Sequence, residues 1–141
     1  MTDKKAFVLW LLTILFWGIS PIIEKLGLRN VDPLPALFIR TSVSAVIMLV
    51  IILAIPSVEI SSITKKDFFI LALSGIIGGF LGMYTYFSLL KTKAASKVVP
   101  LTSTYPLVAT ILGILILKEK LTLSKLIGTI LVVIGIFFLF R

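Results

Sequence analysis

Five apolar runs, each about 20 residues long and parted only by short polar breaks, constrain this chain more than any other feature. A hydrocarbon layer about 30 Å thick is crossed by about 20 residues of α-helix. Helix is required there because lipid offers the backbone amides no hydrogen-bonding partner. Residues 6–28, 34–55, 68–90, 98–117 and 121–140 meet that requirement. Arg29-Asn30-Val31-Asp32-Pro33 closes the first run, and Pro33 and Pro35 suit the opening turn of the second. Residues 56–67 are polar, beginning at Pro56, and contain Glu59 and Lys65-Lys66. Lys91 and Lys93 flank the third break, and Lys118-Glu119-Lys120 forms the fourth. Thr122 or Ser124 is placed to cap the fifth helix. No connection is long enough for a soluble domain. The expected fold is an all-α integral membrane bundle of five transmembrane helices, a single multi-pass domain over residues 1–141 in the cell membrane.

Composition removes several function classes. The chain is 59% hydrophobic and 14% charged, with a mean hydropathy of +1.19. Soluble domains carry about 25% charged residues. Cysteine and histidine are both absent, which excludes disulfides, thiolate metal sites and imidazole acid–base catalysis. No paired carboxylates or acidic metal spacings occur, so an enzyme is not expected, and neither a cofactor nor a metal is implied. A phosphate-binding Gly-rich loop is also missing, so drive by ATP is not encoded. The net charge of +8 sits in clusters between the apolar runs. That placement fits lipid headgroups as partners, with no nucleic acid.

An odd number of spans puts the two ends on opposite sides of the bilayer. Lys4, Lys5, Lys65, Lys66, Lys118, Lys120 and Lys125 fall on the N-terminal side. Lys25, Arg29, Arg40, Lys91, Lys93, Lys97 and Arg141 fall on the other. A surplus of positive charge normally fixes orientation. Seven against seven gives no instruction, which leaves two readings: a weak topology signal rescued by something else, or dual topology, in which copies insert both ways. Leaving out the deeper Arg40 and Lys97 gives a modest preference for the N-terminus inside.

Several residues inside the spans call for a reason. Trp10, Thr13, Trp17, Ser20 and Glu24 fall within an arc of about 80° on the first helix. This stripe reads either as an interhelical contact face or as the wall of a substrate cavity. Pro21 removes a backbone hydrogen bond within the same helix, so a kink is expected. Glu24 and Arg40 lie inside their spans toward the same side. An unpaired charge there is costly, so pairing is expected. The pair reads as a structural bridge between the first two helices, or as a gating or coupling pair. The third helix carries Gly75, Gly78, Gly79 and Gly82, a small-residue spacing that favours close helix packing. Tyr84 and Tyr86 follow, with one of them facing a cavity. In the fourth helix Pro100 and Pro106 bracket Thr102, Ser103, Thr104 and Tyr105, which predicts a distorted backbone there. Gly128 and Gly135 make the fifth a packing helix.

The order of Trp17-Gly18, Lys25, Pro35, Arg40, Tyr84, Phe87, Leu90, Ala94-Ala95, Pro106, Glu119, Leu121, Gly128 and Gly135 resembles the EamA domain of the drug/metabolite transporter superfamily. The resemblance covers essentially the whole chain. It implies a half-length, single-domain form that pairs into a ten-helix dimer: an antiparallel homodimer or a heterodimer with a similar subunit. The function it implies is a secondary transporter or facilitator, an exporter of a small organic metabolite or drug-like solute. In that expectation a cavity built from helices one, three and four holds the solute on Trp17, Ser20, Tyr84, Thr102, Ser103 and Tyr105, with Glu24 and Arg40 gating or coupling. The alternative is a non-catalytic subunit of a lipid-carrier flippase.

Overall fold

The computed structural model describes residues 3–55, 60–120 and 122–139. Pro56, Glu59, Leu121, Phe140 and Arg141, used in the sequence reading, lie outside them. The elements described are all helical: α1 (Asp3–Gly27), α2 (Pro33–Ala54), α3 (Lys65–Thr92), α4 (Ala95–Leu117) and α5 (Leu123–Leu139). Four of these are long and apolar enough to cross a membrane, and α5 is a shorter apolar helix of 17 residues. The chain divides into two compact units, Met1–Thr92 and Lys93–Arg141.

In the first unit, α1 runs on through Pro21, whose side chain is buried. Asp32 precedes α2, and Pro33 and Pro35 occupy its first turn, where a missing N–H costs nothing. The start of α3 lies at Lys65, three residues ahead of the expected one, because Thr64 caps it: the Thr64 hydroxyl accepts from Asp67 N–H at 3.2 Å.

The middle of α3 departs from α-geometry. Gly75–Gly82 is π-helical, between α-helical Lys65–Ser74 and Met83–Thr92. Four glycines in eight residues remove much of the α-preference, at about 1 kcal/mol each relative to alanine. A Cβ at Gly82 would stand 3.3 Å from the Ile77 carbonyl oxygen, so the wider turn suits a residue without one. The Thr85 hydroxyl donates to Leu81 O and Gly82 O at the exit from this stretch. Among the described residues, nothing lies within 4 Å of a Cβ built at Gly75, Gly78 or Gly79.

Most apolar side chains of the unit are exposed, as suits helices that face lipid. Lipid tails are as apolar as leucine, so burial alone gives helices little reason to associate. The buried cluster is correspondingly small. Leu28, Leu37, Phe87 and Leu90 are each no more than 3% exposed, where α1 and α2 pack on the last turns of α3. Two lysines fasten the same end. Lys25 Nζ donates to the Leu90 and Lys91 carbonyls, placing a cation on the negative end of α3. Lys91 Nζ donates to Val31 O at 3.1 Å and pairs with Asp32, which holds the α1–α2 connection.

In the second unit, α4 is broken at Ser103–Thr104 into Ala95–Thr102 and Tyr105–Leu117, and Pro106 sits in the first turn of the second part. Its first part packs on α5. Lys118 ends α4 in the left-handed conformation at φ 55°, and the Lys118 and Glu119 N–H groups both reach Gly113 O, the second at 3.2 Å. Lys125 N–H then meets the Thr122 hydroxyl at 3.3 Å at the head of α5. A left-handed residue other than glycine costs about 1–2 kcal/mol. Lys118→Gly should therefore match or slightly exceed the parent in thermal unfolding in detergent, and the β-branched Lys118→Val should fall about 1–2 kcal/mol below it. Equal stability of the valine variant would show that this turn is not held in solution.

Candidate solute cavity

A charged pair inside an apolar wall defines the site. Glu24 lies one turn before the end of α1, and Arg40 lies two turns into α2. Arg40 Nε approaches Glu24 Oε1 at 3.2 Å, and the Ser20 hydroxyl donates to that same oxygen at 3.0 Å from one turn earlier in α1. The carboxylate side chain is 11% exposed, while the arginine side chain is 45% exposed. The two charges are thus unequally presented. Tyr86, half-buried on α3, lies within the electrostatic reach of both.

These groups border a cavity of about 510 Å³, within the range of about 300–1,000 Å³ usual for small-molecule sites. Phe16, Ile19, Ser20, Ile23, Glu24 and Gly27 supply the α1 wall, with Leu28 and Val31 beyond its end. Ala36, Ile39 and Arg40 come from α2, and Phe87 from α3. The expected cavity is drawn from helices one, three and four at a subunit interface; the one described here is built from α1, α2 and α3 within a single unit.

Ser20, Glu24 and Arg40 are brought together, whereas the other expected solute contacts lie elsewhere. Trp17 is 67% exposed and outside the lining, because the cavity face of α1 follows Phe16, Ile19 and Ile23 rather than the Trp10–Trp17 edge. Tyr84 stacks on Phe80 with centroids 6.4 Å apart. In the second unit, the Thr102 hydroxyl donates to Val98 O and Val99 O, and the Ser103 hydroxyl to Val99 O. Their donors are satisfied by the helix itself, as is usual for hydroxyls in apolar helices. Tyr105 borders a second cavity of about 420 Å³ with Thr110, Glu119, Lys125 and Thr129. Phe16, Ile19, Ile23, Ile39 and Phe87 were not singled out as cavity residues by the sequence, since each also suits a lipid-facing position.

The profile described as the EamA-like transporter family matches residues 4–141. The chain belongs to this family. The relatives it matches include proteins covered almost end to end and a longer one of which it covers less than half. An uncharacterized protein of Methanocaldococcus jannaschii is 35% identical over 135 residues, covering 95% of each chain. An uncharacterized transporter of Sinorhizobium sp. is 30% identical, covering 94% of each. An uncharacterized transporter of Archaeoglobus fulgidus is 30% identical over 88% of this chain but only 44% of its own length. No solved structure matches the chain. Membership makes this EamA chain a multi-pass membrane protein of a transporter family, in agreement with its apolar helices.

Proposed function

We propose that this chain is a secondary transporter or facilitator that exports a small organic solute, with the Glu24–Arg40 cavity as its binding site and a second five-helix domain as its partner. The cavity carries the reading: it has the volume of a small-molecule site, an apolar wall and one polar cluster that can orient a solute. The ion pair joins α1 to α2 at its edge, so parting Glu24 from Arg40 would free one wall. The pair lies near one end of α1 rather than at its middle, which suits a gate better than a midplane coupling site. Trp17, Tyr84, Thr102, Ser103 and Tyr105 enter no step of this reading.

Two observations support pairing. The lysines and arginines divide equally between the two sides, as dual insertion requires. The segment matched in the Archaeoglobus fulgidus relative is 44% of that protein, which leaves room for a second domain of similar size. Alternating access would then come from one domain rocking against the other.

Two measurements check the proposal. Single cysteines placed near either end of this cysteine-free chain and labelled with an impermeant thiol reagent should react from both sides of the membrane. Labelling from one side alone would exclude the antiparallel homodimer and leave a heterologous partner. Proteoliposomes loaded with a mixture of small organic acids, amines and neutral solutes should release at least one of them faster than protein-free vesicles. Folded protein with no flux of any solute would overturn the transport reading in favour of a partner-subunit role.

A further inference from the structure

We propose that the solute is an organic anion with an apolar body, whose carboxylate or phosphate is held by Arg40. This inference rests on the cavity being the solute site. The exposed charge decides the sign. Glu24 is largely shielded, and its Oε1 already accepts from the Ser20 hydroxyl and lies 3.2 Å from Arg40 Nε. Arg40 keeps nearly half its side chain accessible while bordering the cavity. A guanidinium has five N–H donors in a planar fork, and a carboxylate met through Nε leaves most of that fork for another acceptor. Planar oxyanions fit such a fork in bidentate fashion.

The surrounding field has the same sign. At this end of the first unit, Lys25, Arg29, Arg40 and Lys91 stand against Glu24 and Asp32 alone, and Asp32 is already paired with Lys91. Of these cations Arg40 is the one that borders the cavity, and a cation at a low-dielectric mouth concentrates anions there. The rest of the wall is hydrocarbon and aromatic, from Phe16, Ile19, Ile23, Ile39 and Phe87. Burying an apolar body there is favourable, and the wall away from Ser20, Glu24 and Arg40 offers no counter-charge to a second charged group. The shared chemistry admits two sources, a soluble organic acid and the headgroup of an anionic lipid.

The experiment uses the full chain in nanodiscs of phosphatidylcholine, with empty discs as the blank. Binding is measured for 1-naphthoate, neutral 1-naphthamide and cationic 1-naphthylmethylamine. The naphthoate should bind about tenfold or more tightly than either analogue, the discrimination expected of one charge-assisted contact. Arg40→Gln should erase the preference, and Phe38→Ala, 71% exposed on α2 and outside the cavity lining, should keep it. Ile39→Trp, which narrows the cavity from its apolar wall, should weaken naphthoate binding even if Arg40→Gln folds poorly. Phosphatidylglycerol added to the discs should compete with naphthoate if a lipid headgroup is the natural occupant, and should leave binding unchanged if a soluble acid is. Preference for the amine, or an anion preference that survives Arg40→Gln, overturns the proposal. Anion binding without flux would sink the transport reading alone. Flux of neutral or cationic solutes without anion preference would sink this inference alone.

Discussion

Arg40→Ala should lose transport and stability together, while the double variant Glu24→Ala/Arg40→Ala should regain much of the stability and none of the transport. The asymmetry follows from which charge is shielded. Removing the arginine leaves Glu24, 11% exposed, with the Ser20 hydroxyl as its remaining recorded partner. Stripping one member from a fully buried pair costs about 3–5 kcal/mol. Arg40 is 45% exposed, so solvent screens the interaction and the expected loss is nearer 1–3 kcal/mol. Deleting both charges removes the orphan. Denaturation in mild detergent and solute release from proteoliposomes read the two effects separately. A single variant as stable as the parent would mean that the pair contributes nothing to holding α1 against α2. Transport by the double variant would remove the pair from the mechanism.

Phe87→Ala should give the largest loss of folded protein among apolar substitutions in the first unit. Phe87 is 2% exposed, packs among Leu28, Leu37 and Leu90 where three helices meet, and forms part of the cavity wall. Phenylalanine-to-alanine changes in cores cost about 3–5 kcal/mol through lost transfer energy and the void left behind. Beside lipid the transfer component shrinks, because hydrocarbon outside is as favourable as hydrocarbon inside. The lower end, about 3 kcal/mol, is therefore expected. Phe38, 71% exposed on α2, is the internal control: Phe38→Ala should stay within about 0.5 kcal/mol. Monodisperse yield and unfolding midpoints decide the matter, and equal losses at the two positions would contradict the packing described here.

The architecture was legible because the bilayer imposes it. Hydrocarbon thickness sets helix length, and the cost of an unpaired backbone amide rules out other structures, so apolar runs and polar breaks translate directly into α1 to α5. The Glu24–Arg40 pair was legible for a related reason, since a charge inside a span needs a partner. The break in α4 followed from Pro106 and the hydroxyl cluster before it. Thr64 was passed over as the cap of α3, although its spacing to Asp67 was visible.

The cavity face was not legible. In a water-soluble helix, polar and apolar sides differ, and their period reveals which side is buried. Here both alternatives are apolar: lipid accepts Phe16, Ile19, Ile23 and Ile39 as readily as a cavity wall does. The polar edge through Trp10 and Trp17 drew attention to a neighbouring face. The widening of α3 into a π-helix over Gly75–Gly82 was not legible either, since the glycine spacing there speaks to close packing and not to the width of the turn. The sequence by itself determined how many helices form, where they break and which charges must meet. Only the tertiary structure decided which apolar face turns inward, because side-chain polarity carries no direction when the solvent is itself hydrocarbon.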